Sequence, residues 1–111
     1  MDFRIKAFEG LAKESFAYLG DLGFEAHDVL PTAPDRRPIS IVVVFRRPDA
    51  EVETSLVLGF AGEDSIETIV RLADGVLALP SARAHKGQEI KKALGSHAEG
   101  VRKVLRNAAV S

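Results

Sequence analysis

Histidine is the side chain best suited to proton transfer or metal binding near neutral pH, and this 111-residue chain has three: His27, His85 and His97. None belongs to an H-x-x-H pattern. A metal site needs neutral imidazoles or carboxylates converging at about 2 Å from one ion, and nothing in the spacing brings these three together. His97 reads as a first-turn surface residue of a helix, and His27 as an exposed strand residue. Cysteine is absent, which excludes disulfides, thiolate metal sites and thiol nucleophiles. No serine sits in a G-x-S-x-G elbow. Gly59-Phe60-Ala61-Gly62 follows a strand, where phosphate loops occur. It lacks G-x-G-x-x-G and the Lys-Ser/Thr end of a P-loop, and Glu63 and Asp64 behind it would repel a phosphate. The pairs Glu51/Glu53 and Glu63/Asp64 read as solvated side chains, with no feature to shift their pKa. The expectation is a non-enzyme that carries no cofactor. A small enzyme with a site assembled across the fold is an alternative.

Two other features have chemical content. The first is charge. Residues 1–80 hold 14 acidic and 8 basic side chains, whereas residues 81–111 hold 2 and 7, within a net charge of −1. Lys91, Lys92, Arg102, Lys103 and Arg106 are the candidate anion-binding set, since phosphate binding is driven by cationic side chains releasing counterions. Against a nucleic-acid role stand a pI of about 6.3 and the lack of any aromatic in that region to stack bases. A basic tail packed across the acidic body explains the asymmetry without any partner.

The elements that must position these groups follow from periodicity. Phe8, Leu11, Ala12, Phe16 and Leu19 recur at three and four, which predicts a helix from Asp2 or Phe3 to Gly20, with Asp2 as N-cap. Gly23–Leu30 reads as an edge strand. Pro31–Pro38, with three prolines, is a loop. Ile39–Phe45 is β-branched almost throughout, and Val52–Phe60 alternates apolar with polar, so the two form an antiparallel hairpin across Arg46–Ala50. Asp64-Ser65-Ile66-Glu67 has the form of a capping box and predicts a helix running towards Pro80. A short helix near Gln88–Leu94, broken at Gly95, and a last one opened by Ser96-His97-Ala98-Glu99 complete the order. The reading is a single α+β domain over residues 1–111. It has two layers in α-β-β-β-α-α order, with a three-stranded meander and helices packed on one face.

The second feature depends on that hairpin. If Ile39, Ile41, Val43 and Phe45 face the helices, Val42, Val44 and Val57 share the other face, beside Arg46. Apolar surface with a charged rim marks an interface. Coverage by the last helices is the competing explanation. Val42, Val44, Val57 and Arg46 are thus the candidate interface.

The leading helix with Phe16 and Leu19, the Gly23-Phe24 step, the Ile39–Phe60 hairpin and the closing Leu94–Leu105 spacing resemble several small bacterial α+β families. Some of these are similar to immunity proteins that bind and block a toxin. The resemblance implies a partner-binding role, with the acidic body as the surface for a basic toxin, and assigns no individual residue. The expected partner is a protein, either a toxin or a second copy forming a homodimer through the sheet. Nucleic acid or another anion is the alternative. The longest apolar run, Ile41–Phe45, is far short of a membrane span, and the first residues lack the long apolar core of a signal peptide. No membrane association and a cytoplasmic location are expected.

Overall fold

A computed structural model describes residues 3–29, 39–58, 64–84 and 87–110. The hairpin is at its centre. Strands β2 (Ile39–Arg47) and β3 (Ala50–Leu58) pair antiparallel over nine residues, from Ile39 opposite Leu58 to Arg47 opposite Ala50. The turn is tighter than expected: Pro48 and Asp49 alone connect the strands. Proline supplies the fixed φ of the first turn position, and the Arg47 side chain donates to the Asp49 carboxylate. Among the described residues strand β1 (Glu25–Val29) pairs only with β2 and is the expected edge strand.

Ahead of β1, the helical segment is divided. Helix α1 spans Phe3–Ser15 and a short α2 spans Tyr18–Asp21. The chain leaves α2 through a paired C-terminal lock. Gly23 has φ of 91°, and the Phe24 and Gly23 amides donate to the Leu19 and Gly20 carbonyls at 3.0 and 3.1 Å. That pattern needs a left-handed residue, which glycine adopts without steric cost.

The helix expected after Asp64 does not form. Ser65–Leu72 is strand β4, Gly75–Ala78 is β5, and Ala82–Arg83 is a short β6. Ile66, Ile69, Val70 and Ala73 fit a helical stripe, but Ile66, Thr68 and Val70 equally fit an alternating one, and these three are the buried residues. Thr68 obscures that period because a polar residue occupies an inner-face position. The open edge of β3 decides the matter by accepting β4 along eight residue pairs. The expected three-stranded meander is therefore a six-stranded antiparallel sheet in the order β1-β2-β3-β4-β5, with β6 also on β4.

The two closing helices are one, α3, Gly87–Val110. Glycine inside a helix costs about 1 kcal/mol against alanine. The continuous buried stripe of Ile90, Leu94, Ala98, Val101 and Leu105 runs through Gly95 and offsets it. Gly95 is exposed, and Ser96 and Glu99 are exposed mid-helix residues and not a helix start.

All three described helices lie on one side of the sheet. Phe8, Ala12, Phe16, Leu19, Ile90, Leu94 and Val101 form one core with Ile41, Val43, Phe45, Val52, Leu56, Leu58, Ile66 and Val70. Phe16 and Phe45 meet with ring centroids 5.4 Å apart. The inner, odd-numbered face of the hairpin's first strand is thus core at Ile41, Val43 and Phe45, as expected. Asp2, the Pro31–Pro38 loop, the Gly59–Gly62 turn and His85 lie outside the described residues.

Candidate interaction surface

The outer face of the sheet is built from the residues that alternate with the core. Strand register places His27, Val44, Glu53, Ile69 and Ala78 in one cross-strand row, and Glu25, Arg46, Glu51, Arg71 and Val76 in the next. Val42 lies opposite Ser55, and Val57 opposite Ser65. The buried residues of the described helices pack on the opposite, inner face. Val42, Val57 and Ile69 are half-buried and Val76 is 67% exposed. Val44 departs from the expectation of an open valine patch: it is only 2% exposed. The apolar surface on offer is therefore Val42, Val57, Ile69 and Val76.

A charged ladder crosses the same face. Arg46 Nε donates to Glu51 Oε1 at 2.7 Å, and Arg71 Nη1 donates to Glu51 Oε2 at 3.0 Å and to Glu53 Oε2 at 2.9 Å. Arg46 and then Arg71 hold the Glu51 carboxyl below its usual range. The hydrogen bond and charge of Glu53, followed by those of Glu51, strengthen the Arg71 cation. Partly exposed pairs of this kind contribute at most about 1 kcal/mol each. Their larger effect is to hold three strands' charged side chains in a fixed pattern. Arg46, from the candidate interface, is thus one end of a ladder. Arg71, Glu53 and Ile69 belong to the same surface, although the residues from β4 read as helical in sequence.

The candidate anion-binding residues are on α3, and their roles divide. Lys91, Lys92, Lys103 and Arg106 are exposed; Lys92, Lys103 and Arg106 lie on the side of the helix away from the Ile90–Leu105 stripe, and Lys91 borders it. Lys91 to Arg106 spans about 22 Å at the rise of an α-helix, and Glu99 interrupts the set. Arg102 is engaged elsewhere, its guanidinium stacked 4.4 Å over the Tyr18 ring. The Tyr18 hydroxyl donates to the Ala98 carbonyl at 2.6 Å. Burial pushes its pKa up to about 12, with Arg102 opposing.

A third arrangement was invisible in the sequence. His97 is not a surface residue: it is 4% exposed. Its Nε2–H donates to the Pro80 carbonyl at 2.9 Å. Nδ1 is then the acceptor for the Thr68 hydroxyl at 2.7 Å, and Thr68 Oγ1 accepts from Thr54 at 2.9 Å. Burial holds the imidazole below the usual histidine range, against the Pro80 carbonyl and Glu67. The ring lines a cleft of about 610 Å³ with Leu79–Ala82, Ser96, Glu99, Gly100 and Lys103. Both ring nitrogens are committed internally, so His97 offers a substrate neither a lone pair nor a proton in this state. His27 is exposed, as expected. Among the described residues no three His, Asp or Glu side chains are grouped to hold a metal ion, and no helix is long and apolar enough to cross a membrane.

Compared with known proteins, the chain matches no family model, no curated protein and no solved structure.

Proposed function

We propose that this chain is a non-enzymatic protein-binding domain that takes its partner on the outer face of the sheet. The observation that carries this reading is the one-sided packing of the described helices. It leaves Val42, Val57, Ile69 and Val76 on one face together with a fixed Arg46–Glu51–Arg71–Glu53 ladder. Apolar residues provide the desolvated centre of an interface, and ordered charges at its side provide register and partner choice. The internal use of both His97 nitrogens supports a binding role over catalysis. The specific form of the reading is an immunity-type protein that blocks a toxin, and it works from the cytoplasm. Photo-crosslinking residues placed at Val57 and Ile69, with Lys92 as control, test the surface in the cells that make the protein. Discrete adducts from the two sheet positions are expected. Adducts from Lys92 alone would overturn the assignment.

A second reading rests on the exposed Lys91, Lys92, Lys103 and Arg106. A cationic helix face of this length can bind a polyanion. Salt-dependent binding to DNA or RNA, lost on changing Lys92, Lys103 and Arg106 to glutamine, would favour it over the first.

A further inference from the structure

The described sheet ends in two edges that are chemically opposite. Strand β1 carries the exposed polar side chains of Glu25 and His27, the kind of protection that keeps an edge from pairing with another chain. Strand β5, Gly75-Val76-Leu77-Ala78, carries no charge and is exposed at every position, with Val76 67% and Leu77 46% exposed. Among the described residues it pairs only with β4. We infer that β5 is the contact strand of a homodimer in which it pairs antiparallel with β5 of a second copy.

The register determines which groups are available. The Leu79 amide donates to the Thr68 carbonyl at 2.9 Å, and Leu77 is opposite Val70 on the same strand. Alternation along an antiparallel ladder then directs the backbone groups of Leu77 and Leu79 towards β4, and those of Val76 and Ala78 away from it. A two-fold axis through Leu77 sets Val76 opposite Ala78 of the other copy. Each of these residues contributes one donor and one acceptor, so four hydrogen bonds close symmetrically. Leu77 meets its own counterpart at a non-hydrogen-bonded pair, the closer of the two pair types. On the other face, the larger Val76 meets the smaller Ala78.

The length of the strand selects this occupant. Pro80 follows two residues after β5 and has no amide hydrogen, and the Ala73-Asp74 turn precedes the strand. An extended peptide running past β5 gains no bond at Pro80 and next meets β6 with its Arg83, whereas a second β5 has the same four uncharged residues and the same limits. No charged residue falls within the paired segment, so the two-fold brings no like charges into register. Four residues of strand pairing bury less than the roughly 1,200 Å² of a stable interface, so the dimer is weak and reversible. It joins two outer faces edge to edge and so extends the surface of the proposed function, on which it does not depend.

Sedimentation of the full chain across a micromolar-to-millimolar range, with three variants, tests the pairing. Val76→Pro removes an outward amide without touching a β4 bond, and it is expected to abolish dimerisation while leaving the circular dichroism spectrum intact. Leu77→Cys in this cysteine-free chain is expected to form a disulfide-linked dimer under mild oxidation much faster than His27→Cys on the other edge. Val57→Glu is expected to leave the dimer unchanged. A monomer at the highest concentration with no faster Leu77→Cys linkage would overturn the inference. So would a dimer that Val76→Pro leaves intact. A dimer lost only in Val57→Glu would also overturn it while pointing to the outer face as the contact.

Discussion

The Thr68 hydroxyl lies 2.7 Å from His97 Nδ1, and this bond ties β4 to α3 at a buried point. Thr54 extends the connection to β3, and the Pro80 carbonyl extends it to the segment after β5. Four separate parts of the chain therefore meet in one line of hydrogen bonds. The protons have one consistent direction along it, from Thr54 to Thr68 to His97 to Pro80.

That direction makes the two threonines unequal. Thr68→Val removes both the donor that satisfies Nδ1 and the acceptor that satisfies Thr54, so two buried groups lose their partners. Thr54→Val removes only the terminal donor. The expected losses in urea unfolding are about 1–3 kcal/mol for Thr68→Val and about 0.5–1.5 kcal/mol for Thr54→Val. The order of the two is the test.

The same line makes stability depend on pH. Burial holds folded His97 below the ordinary imidazole range, so the unfolded chain, titrating near 6.5, takes up its proton first. The contribution of neutral His97 is complete above about pH 6.5 and is lost as pH falls from there to the folded value. Glu51, held down by Arg46, acts in a lower window: its contribution is lost only as pH falls below the ordinary carboxylate range. Unfolding measured at about pH 7.5 and 5.5 is expected to show a clear decline, with a smaller one in His97→Gln.

The reading of α3 as one helix makes two glycines distinguishable. A Cβ at Gly95 meets nothing within 4 Å, whereas one at Gly100 comes within 3.2 Å of Leu79 Cδ1. Gly95→Ala is expected to raise stability by about 1 kcal/mol, measured by thermal or urea unfolding. Gly100→Ala gains less, because Leu79 must shift to admit the methyl group.

The hairpin Ile39–Leu58 was legible because β-branched residues and a strict alternation of two agreed in it. Ser65–Ala78 was not, because Thr68 is a polar residue at an inner-face position. Its hydroxyl is satisfied only by Thr54 and His97, from distant parts of the chain. A window that counts threonine as polar finds the helical spacing of Ile66, Ile69 and Val70 instead. Ser96-His97-Ala98-Glu99 misled in the opposite sense: it has the form of a helix start, but the buried stripe continues through it. The candidate surface was legible to the same extent. Val42, Val57 and Arg46 came from the hairpin, while Ile69, Arg71 and Val76 became visible only once β4 and β5 were strands.

The most direct measurement of the central claim is the affinity of the purified, crosslink-identified partner for three forms of the chain. If the outer face is the binding surface, Val57→Glu replaces one of its four apolar residues with a charge. It then weakens binding by about 30-fold or more, the scale of a lost interface anchor. Lys92→Glu on α3 leaves the affinity within about two-fold of the unsubstituted chain. Unchanged affinity for Val57→Glu in a folded protein, with binding lost in Lys92→Glu, would contradict the account.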